Sequence, residues 1–150
     1  MSTYLIIAAH DQKIATVEQV EKGDILAYSN PAWYQSRSLG RDYGNIEVGD
    51  QVVLCRVSQL KFVACVDEIV MAIDASGSQF DGAPVRILKG DVIGRFDRFS
   101  VAVFAHQLEA AGVDIPVIIS DRLNGFKQGA FAAKLDKKQA EICLARAEFR

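Results

Sequence analysis

Apolar positions along this chain come in short runs whose period changes repeatedly, so the predicted elements are short and mixed. Residues 4–9 (YLIIAA) form a continuous, partly β-branched apolar run, which predicts a buried strand. Thr16-Val17-Glu18-Gln19 fits a capping box, predicting a short helix to about Lys22 that Gly23 stops. A brief strand over 25–28 follows. Asn30-Pro31 then pairs a helix-capping residue with the residue favoured at the first helical position, so residues 31–39 (PAWYQSRSL) read as a helix ending at Gly40. On it, Trp33 and Arg37 are four apart and share a face.

The centre of the chain reads as β structure. Residues 51–57 (QVVLCRV) and 62–73 (FVACVDEIVMAI) are rich in Val and Ile, and residues 58–61 supply a turn for an antiparallel hairpin. Gly23-Asp24, Gly49-Asp50 and Gly90-Asp91 each precede an apolar run and read as corners feeding strands. A polar loop over 74–83 leads to expected strands at 85–88, 92–96 and 100–103. A helix is expected over 104–111, with Phe104 and Leu108 on one face and Gly112 as its stop. An extended segment is expected at 115–119, a turn at 124–129 and a strand at 130–133. Asp136 and Gln139 cap a closing helix whose buried stripe is Ala140, Cys143, Leu144 and Ala147. These elements predict an α+β fold built on a curved or closed β-barrel with short helices packed outside. A parallel α/β sheet would need longer helices in regular alternation with strands.

The chain has 150 residues, half of them hydrophobic, which suits one domain spanning 1–150. Its longest apolar runs fall well short of the roughly 18–20 residues that cross a bilayer as a helix, so no membrane partner is expected. Seventeen Lys and Arg against 19 Asp and Glu give a formal net charge of −2, which excludes a nonspecific polycation but leaves room for a local basic face at 37–41, 95–98 or 134–138. Cys55, Cys65 and Cys143 have no C-x-x-C spacing, and with only two histidines they build no zinc site. No secretion signal opens the chain, so a reducing cytoplasm is the expected compartment.

Catalytic motifs are scarce. There is no P-loop, no G-x-G-x-x-G, no G-x-S-x-G and no H-E-x-x-H. His10, just after the first strand, is a candidate at a sheet edge, and His106 reads as a surface residue. Asp67 and Glu68 are strand neighbours expected on opposite faces, which argues against a carboxylate dyad. A metal-dependent nuclease would have to gather carboxylates such as Asp24, Asp50 and Glu68. A binding set is more coherent: Trp33 is the only tryptophan and lies among Asn30, Tyr34, Ser36 and Arg37. An aromatic ring stacks on a base, amides and hydroxyls read base edges, and Arg holds phosphate. The bland alternative is that Trp33 fills the core. Asn124, Phe126, Lys127 and Gln128 repeat the same mixture.

The order of these motifs resembles the EVE domain of the PUA-like group, which also includes YTH and ASCH domains. Tyr4-Leu5-Ile6-Ile7 looks like its first strand, and Asn30-Pro31 through Arg37-Ser38-Leu39 like its Asn-opened helix. Glu47-Val48-Gly49-Asp50-Gln51-Val52-Val53 resembles its "x-x-G-D-x-V" turn and strand. Val63 to Ile69 stands for its "GIAEV" partner strand, and Lys127-Gln128-Gly129 for its "[RK]-Q-G" loop. Arg56-Val57-Ser58 stands where the family has His-Ser, and the ASCH signature G-x-K-x-x-E-x-R is missing. The resemblance implies a non-catalytic reader of a flipped base, plain or modified, in DNA or RNA, with no cofactor and no metal. It implies stacking for Trp33, base-edge contacts for Asn30, Ser36 and Gln128, phosphate contacts for Arg37 and Lys127, and a pocket wall at Ser58. The rival readings are a small nuclease and an oligomerising or partner-binding domain, and a reader of this kind is also expected to work beside a nuclease on a separate chain.

Overall fold

Strand β1 (Thr3–Ala8) is apolar after Thr3, as suits a strand covered on both faces. Tyr4 and Ile6 enter one buried cluster while Leu5 and Ile7 enter another. The computed structural model describes residues 1–8, 25–29, 42–56, 58–73, 84–124 and 132–149. The helices expected at 16–22 and 31–39, the corner at Gly23-Asp24 and the loop at 74–83 lie outside these residues.

β1 is the hub of a mixed sheet. It pairs in parallel with β3 (Gln51–Arg56) and antiparallel with β6 (Ala132–Leu135). β3 continues into the long β4 (Gln59–Ile73), which runs antiparallel to the still longer β5 (Pro84–Ser100). β2 (Ile25–Ser29) pairs with β5, giving the order β2-β5-β4-β3-β1-β6. Three helices among the described residues, α1 (Val101–Ala110), α2 (Val117–Leu123) and α3 (Lys137–Leu144), complete an α+β fold.

The two faces of the sheet have different fillings. On the helix face, Leu5, Ile7, Val53, Cys55, Val63 and Phe99 pack under Phe104 and Leu108 of α1, Ile119 of α2 and Cys143 of α3. Phe99 anchors this layer, its ring centroid 5.4 Å from that of Phe96 and 5.6 Å from that of Phe104. On the other, inner face, Tyr4, Ile6, Val52, Leu54, Phe62, Val66 and Leu88 close over Tyr43 and Ile46. Those last two come from a 3-10 turn (Tyr43–Asn45) and the residue after it, not from the sheet.

This turn ties together strands far apart in the sheet order. The Tyr43 hydroxyl donates to the Arg86 carbonyl at 2.7 Å, and the Arg86 guanidinium donates back to the carbonyls of Tyr43, at 2.9 Å, and Ile46. Arg86 lies on β5, next to the β2 end of the path. At the other end, the Lys134 amide of β6 donates to the Asp42 carboxylate at 3.0 Å, and the Tyr4 hydroxyl to the Asn45 carbonyl at 3.3 Å. Among the described residues the backbone ladder itself is open, with β2 and β6 at its ends.

Several local expectations need correction. The turn at 58–61 is tighter: β4 starts at Gln59, because buried Leu60 is drawn onto Phe99 of β5. The strands expected at 85–88, 92–96 and 100–103 are one strand that ends by Ser100. Gly90-Asp91 makes no corner but sits opposite Cys65 and Val66, beside a bulge that leaves Asp67 unpaired in the ladder. Val101 to Val103 are helical, since the Ser100 hydroxyl accepts from the Val103 amide at 3.1 Å and starts α1 three residues early. Residues 117–119 are helical as well: Pro116 suits a helix start, and its carbonyl accepts from Ser120 at 3.1 Å. β6 lies two residues later than expected, at Ala132–Leu135.

β7 (Glu148–Phe149) was not expected. It pairs with Gly94 and Arg95 of β5. A Cβ on Gly94 would sit 3.1 Å from the Phe149 ring and 3.3 Å from the Glu148 carbonyl. Gly94→Val is therefore expected to displace β7 and to lower stability by about 1–3 kcal/mol, measured by urea denaturation. Gly94→Val in a chain lacking Glu148 and Phe149 should cost less, and an equal loss in both backgrounds would refute the close-approach explanation.

All three cysteines are free, and burial separates them. Burial, with a smaller contribution from Cys55, pushes the Cys143 thiol up to about 12 from an ordinary 9.0. The folded pKa is raised, so this contribution to stability is complete below about pH 9 and is lost as pH climbs from there toward about 12. The slope approaches 1.4 kcal/mol per pH unit in that window. Native protein at pH 8 should react with a thiol reagent at half-buried Cys65 first, with Cys143 labelled only on unfolding. Mass spectrometry of labelled peptides reads the order directly.

Candidate nucleic-acid interface

Of the expected contact residues, only Ser58 is among those the structure describes. β1 and β3 run in parallel, with Ala8 opposite Arg56, while β6 runs the other way, with Ala132 opposite Ile6. The far end of β3, the turn at Ser58 and the start of β6 therefore share one end of the sheet. Lys127 and Gln128 lie outside the described residues. Ser58 is half-buried, and its carbonyl accepts from the Val101 amide at 2.9 Å, locking the β3–β4 turn to the start of α1.

Asn30, Trp33, Ser36 and Arg37 also lie outside the described residues, but both ends of their segment are placed. It leaves β2 at Ser29, opposite Arg86, and returns at Asp42, bonded to Lys134. Lys134 and Arg56 are four strand positions apart along the sheet, about 13 Å.

Arg56 joins the candidates. Val52 and Leu54 point into the inner cluster, and strand alternation puts Arg56 on that same face at the end of β3. The residue is half-buried, and among the described residues no carboxylate pairs with it. Sequence reading noticed Arg56 only as a departure from His-Ser. The strand's period of two, read with the knowledge of which face is inner, was the signal that singles it out.

Other candidates resolve differently. Asp50 is buried, and its two carboxylate oxygens accept from the backbone amides of Ser2 and Glu47, each at 2.9 Å. It holds the turn where Gly49, at φ +96, feeds β3. That occupies both oxygens of one of the three carboxylates a nuclease would have gathered. Glu68 is exposed on β4, and Asp24 and His10 lie outside the described residues. Among the described residues, no three His, Cys, Asp or Glu side chains group to hold a metal ion. Asp67 and Glu68 are both exposed, the bulge between Val66 and Glu68 having broken the expected alternation. His106 is exposed, as expected. Burial pushes the Tyr4 phenol above its usual pKa, and Asp50, Asp42 and Glu47 push the same way, so Tyr4 remains a neutral donor to Asn45.

No protein-family profile and no curated protein sequence matches the chain. Its three-dimensional likenesses are informative. The human THYN1 protein, solved in complex with DNA containing 5-methylcytosine, superposes with a TM-score of 0.56, over 97% of this chain and 96% of that one, at 11% identity. The DUF55 domain of human thymocyte nuclear protein 1 superposes with a TM-score of 0.59, over 96% and 97%, at 10% identity. The chain thus shares the fold of the THYN1 DUF55 domain, in line with the expected likeness to EVE domains. The likeness spans nearly the whole chain. No helix among the described residues is long and apolar enough to cross a membrane.

Proposed function

We propose that this chain is a non-catalytic DNA-binding module that accepts a flipped cytosine-type base carrying a 5-methyl or related group. The observation that carries this is the likeness, over 97% of the chain, to a domain solved with 5-methylcytosine-containing DNA. In this reading residues 1–150 form one domain, and the strands with the 3-10 turn make a small barrel whose inner face narrows to the pocket. Trp33 stacks on the base. Asn30, Ser36 and Gln128 meet its edge, Arg37 and Lys127 hold flanking phosphates, and Ser58 forms a wall. Arg56 presents its planar fork of donors to the base edge or the nearest phosphate. Flipping costs a few kcal/mol, least where pairing is already weak, and the pocket must return it through stacking and hydrogen bonds. A methyl group buried against apolar wall adds about 0.8 kcal/mol, or roughly fourfold in affinity. The three free thiols suit work in a reducing cytoplasm.

The test is a binding panel of short duplexes and single strands, as DNA and RNA, carrying cytosine, 5-methylcytosine, 5-hydroxymethylcytosine or N6-methyladenine. Preference for a 5-substituted cytosine in DNA supports the reading, and equal affinity across the panel overturns it. Arg56→Ala is expected to weaken binding of the preferred oligonucleotide about tenfold while leaving the melting temperature within a degree or two. Unchanged affinity in that variant would remove Arg56 from the pocket.

A further inference from the structure

The ladder between β4 and β5 breaks in an unusual way just below Ser58. Leu60 pairs with Phe99, and the next pair is Phe62 with Arg95. One residue of β4, Lys61, therefore faces three residues of β5: Phe96, Asp97 and Arg98. Lys61 is also the extra residue against β3, where Cys55 pairs with Leu60 and Leu54 with Phe62. Phe96 turns into the helix-side core, while Lys61, Asp97 and Arg98 are exposed. Arg98 has φ of 51°, a left-handed conformation held by no other non-glycine residue among those described. Bulges of this kind re-aim side chains. Here the result is two cations thrown out beside the same pair of rungs. A third, Arg146, has its guanidinium carbon 4.9 Å from the centre of the Phe99 ring, against the same rung.

The charges facing this spot from each surrounding element are few. Lys61, Arg98 and Arg146 are opposed by Asp97 on the bulge, and Arg95 lies across from Glu148 of β7. No carboxylate among the described residues forms an ion pair with Lys61 or Arg98. Ser58 and Gln59 lie immediately along the strand, the Gln59–Ser100 and Leu60–Phe99 rungs separating Ser58 from Lys61. On a chain of net charge −2, the bulge and the Phe99 rung thus carry three exposed cations close together along the strands.

We infer that Lys61, Arg98 and Arg146 form a landing surface for the DNA phosphodiester backbone beside the base-binding end of the sheet. The inference rests on the DNA-binding reading above and adds a second, sequence-independent contact to it. Phosphate contacts set position and salt dependence without reading bases, so this surface and the pocket have separable signatures.

Arg98→Gly combined with Lys61→Gln provides the test. Glycine suits the left-handed backbone, so the double variant should melt no lower than the parent while losing two phosphate contacts. The plot of log affinity against log salt should flatten by about 1.8 units for duplex DNA, and affinity at low salt should fall about tenfold. The ratio between modified and unmodified DNA should stay within about twofold. A second variant, Lys61→Glu at the exposed β4 position alone, should weaken binding further per residue changed.

An unchanged salt slope in both variants overturns the landing surface, whatever the base preference. A flattened slope in a protein with no base preference supports the surface and overturns the pocket reading instead. Absence of parent binding to any DNA at low salt overturns both, as does tighter parent binding to RNA than to DNA of the same sequence.

Discussion

Arg86→Met is expected to lower the unfolding free energy by about 3 kcal/mol. The guanidinium satisfies two carbonyls, those of Tyr43 and Ile46, on residues with no solvent exposure. Methionine fills comparable space but donates nothing: the Ile46 carbonyl loses its side-chain donor and the Tyr43 carbonyl keeps only the Ile46 amide at 3.3 Å, and a buried acceptor left without a partner costs about 1–3 kcal/mol. The Tyr43 hydroxyl keeps its bond to the Arg86 backbone carbonyl, which limits the loss. The same substitution should weaken DNA binding beyond any effect of unfolding. The segment carrying Asn30, Trp33, Ser36 and Arg37 starts opposite Arg86 and returns into the turn that Arg86 holds. Urea denaturation and binding titration well below the melting transition separate the two effects. Loss of less than about 1 kcal/mol would mean that the turn is held by its apolar residues alone.

Trp33→Ala is expected to reduce affinity for the preferred oligonucleotide by about 1–3 kcal/mol, the range for one base stacked on an aromatic ring. That is between roughly fivefold and 150-fold. Trp33→Phe should recover part of it, since a smaller ring still offers a face to stack on. A tryptophan used as core filler gives a different pattern. Truncation would then cost about 3–5 kcal/mol of stability, with a binding loss only as large as the unfolded fraction explains. Tryptophan emission offers an independent reading, because this chain has a single tryptophan. Stacking on a base should quench it on binding, whereas a core residue should show no change.

The landing surface and the pocket divide the work physically. Lys61 and Arg98 would supply salt-sensitive attachment, and Trp33, Arg56 and their neighbours discrimination. Asp50 illustrates why a residue type does not by itself name a role. A buried aspartate beside a Gly turn reads as a candidate metal ligand, yet both oxygens are taken by the Ser2 and Glu47 amides. Asp50→Ala is accordingly expected to cost about 2 kcal/mol of stability, two charge-assisted bonds being lost. It should leave the ratio between modified and unmodified DNA unchanged.

What the sequence determined by itself is local. The continuous apolar run of β1, the Val-rich β3 and β4, the Asp136–Gln139 capping box and the glycine that ends α1 are all written in a few adjacent residues. Short-range sterics and hydrogen bonding decide such elements, and both oxygen acceptors of the capping box are satisfied as expected, Asp136 by the Gln139 amide at 2.8 Å and Gln139 by the Asp136 amide at 2.9 Å. The order of these elements also carried the EVE likeness, which the superpositions bear out at the level of the fold. Only the tertiary structure decided the rest. Nothing local distinguishes a parallel β1–β3 pair from an antiparallel one, or joins three apolar runs into one 17-residue β5. Burial of Leu60 against Phe99 set the start of β4, and the mismatch between two long strands threw out Lys61 and Arg98. Tyr43 and Arg86, 43 residues apart, are joined through bonds that exist only once the tertiary structure brings them together. Arg56 became a candidate in the same way: its charge was legible from the start, but its place on the same face of β3 as Val52 and Leu54 is a property of the assembled sheet.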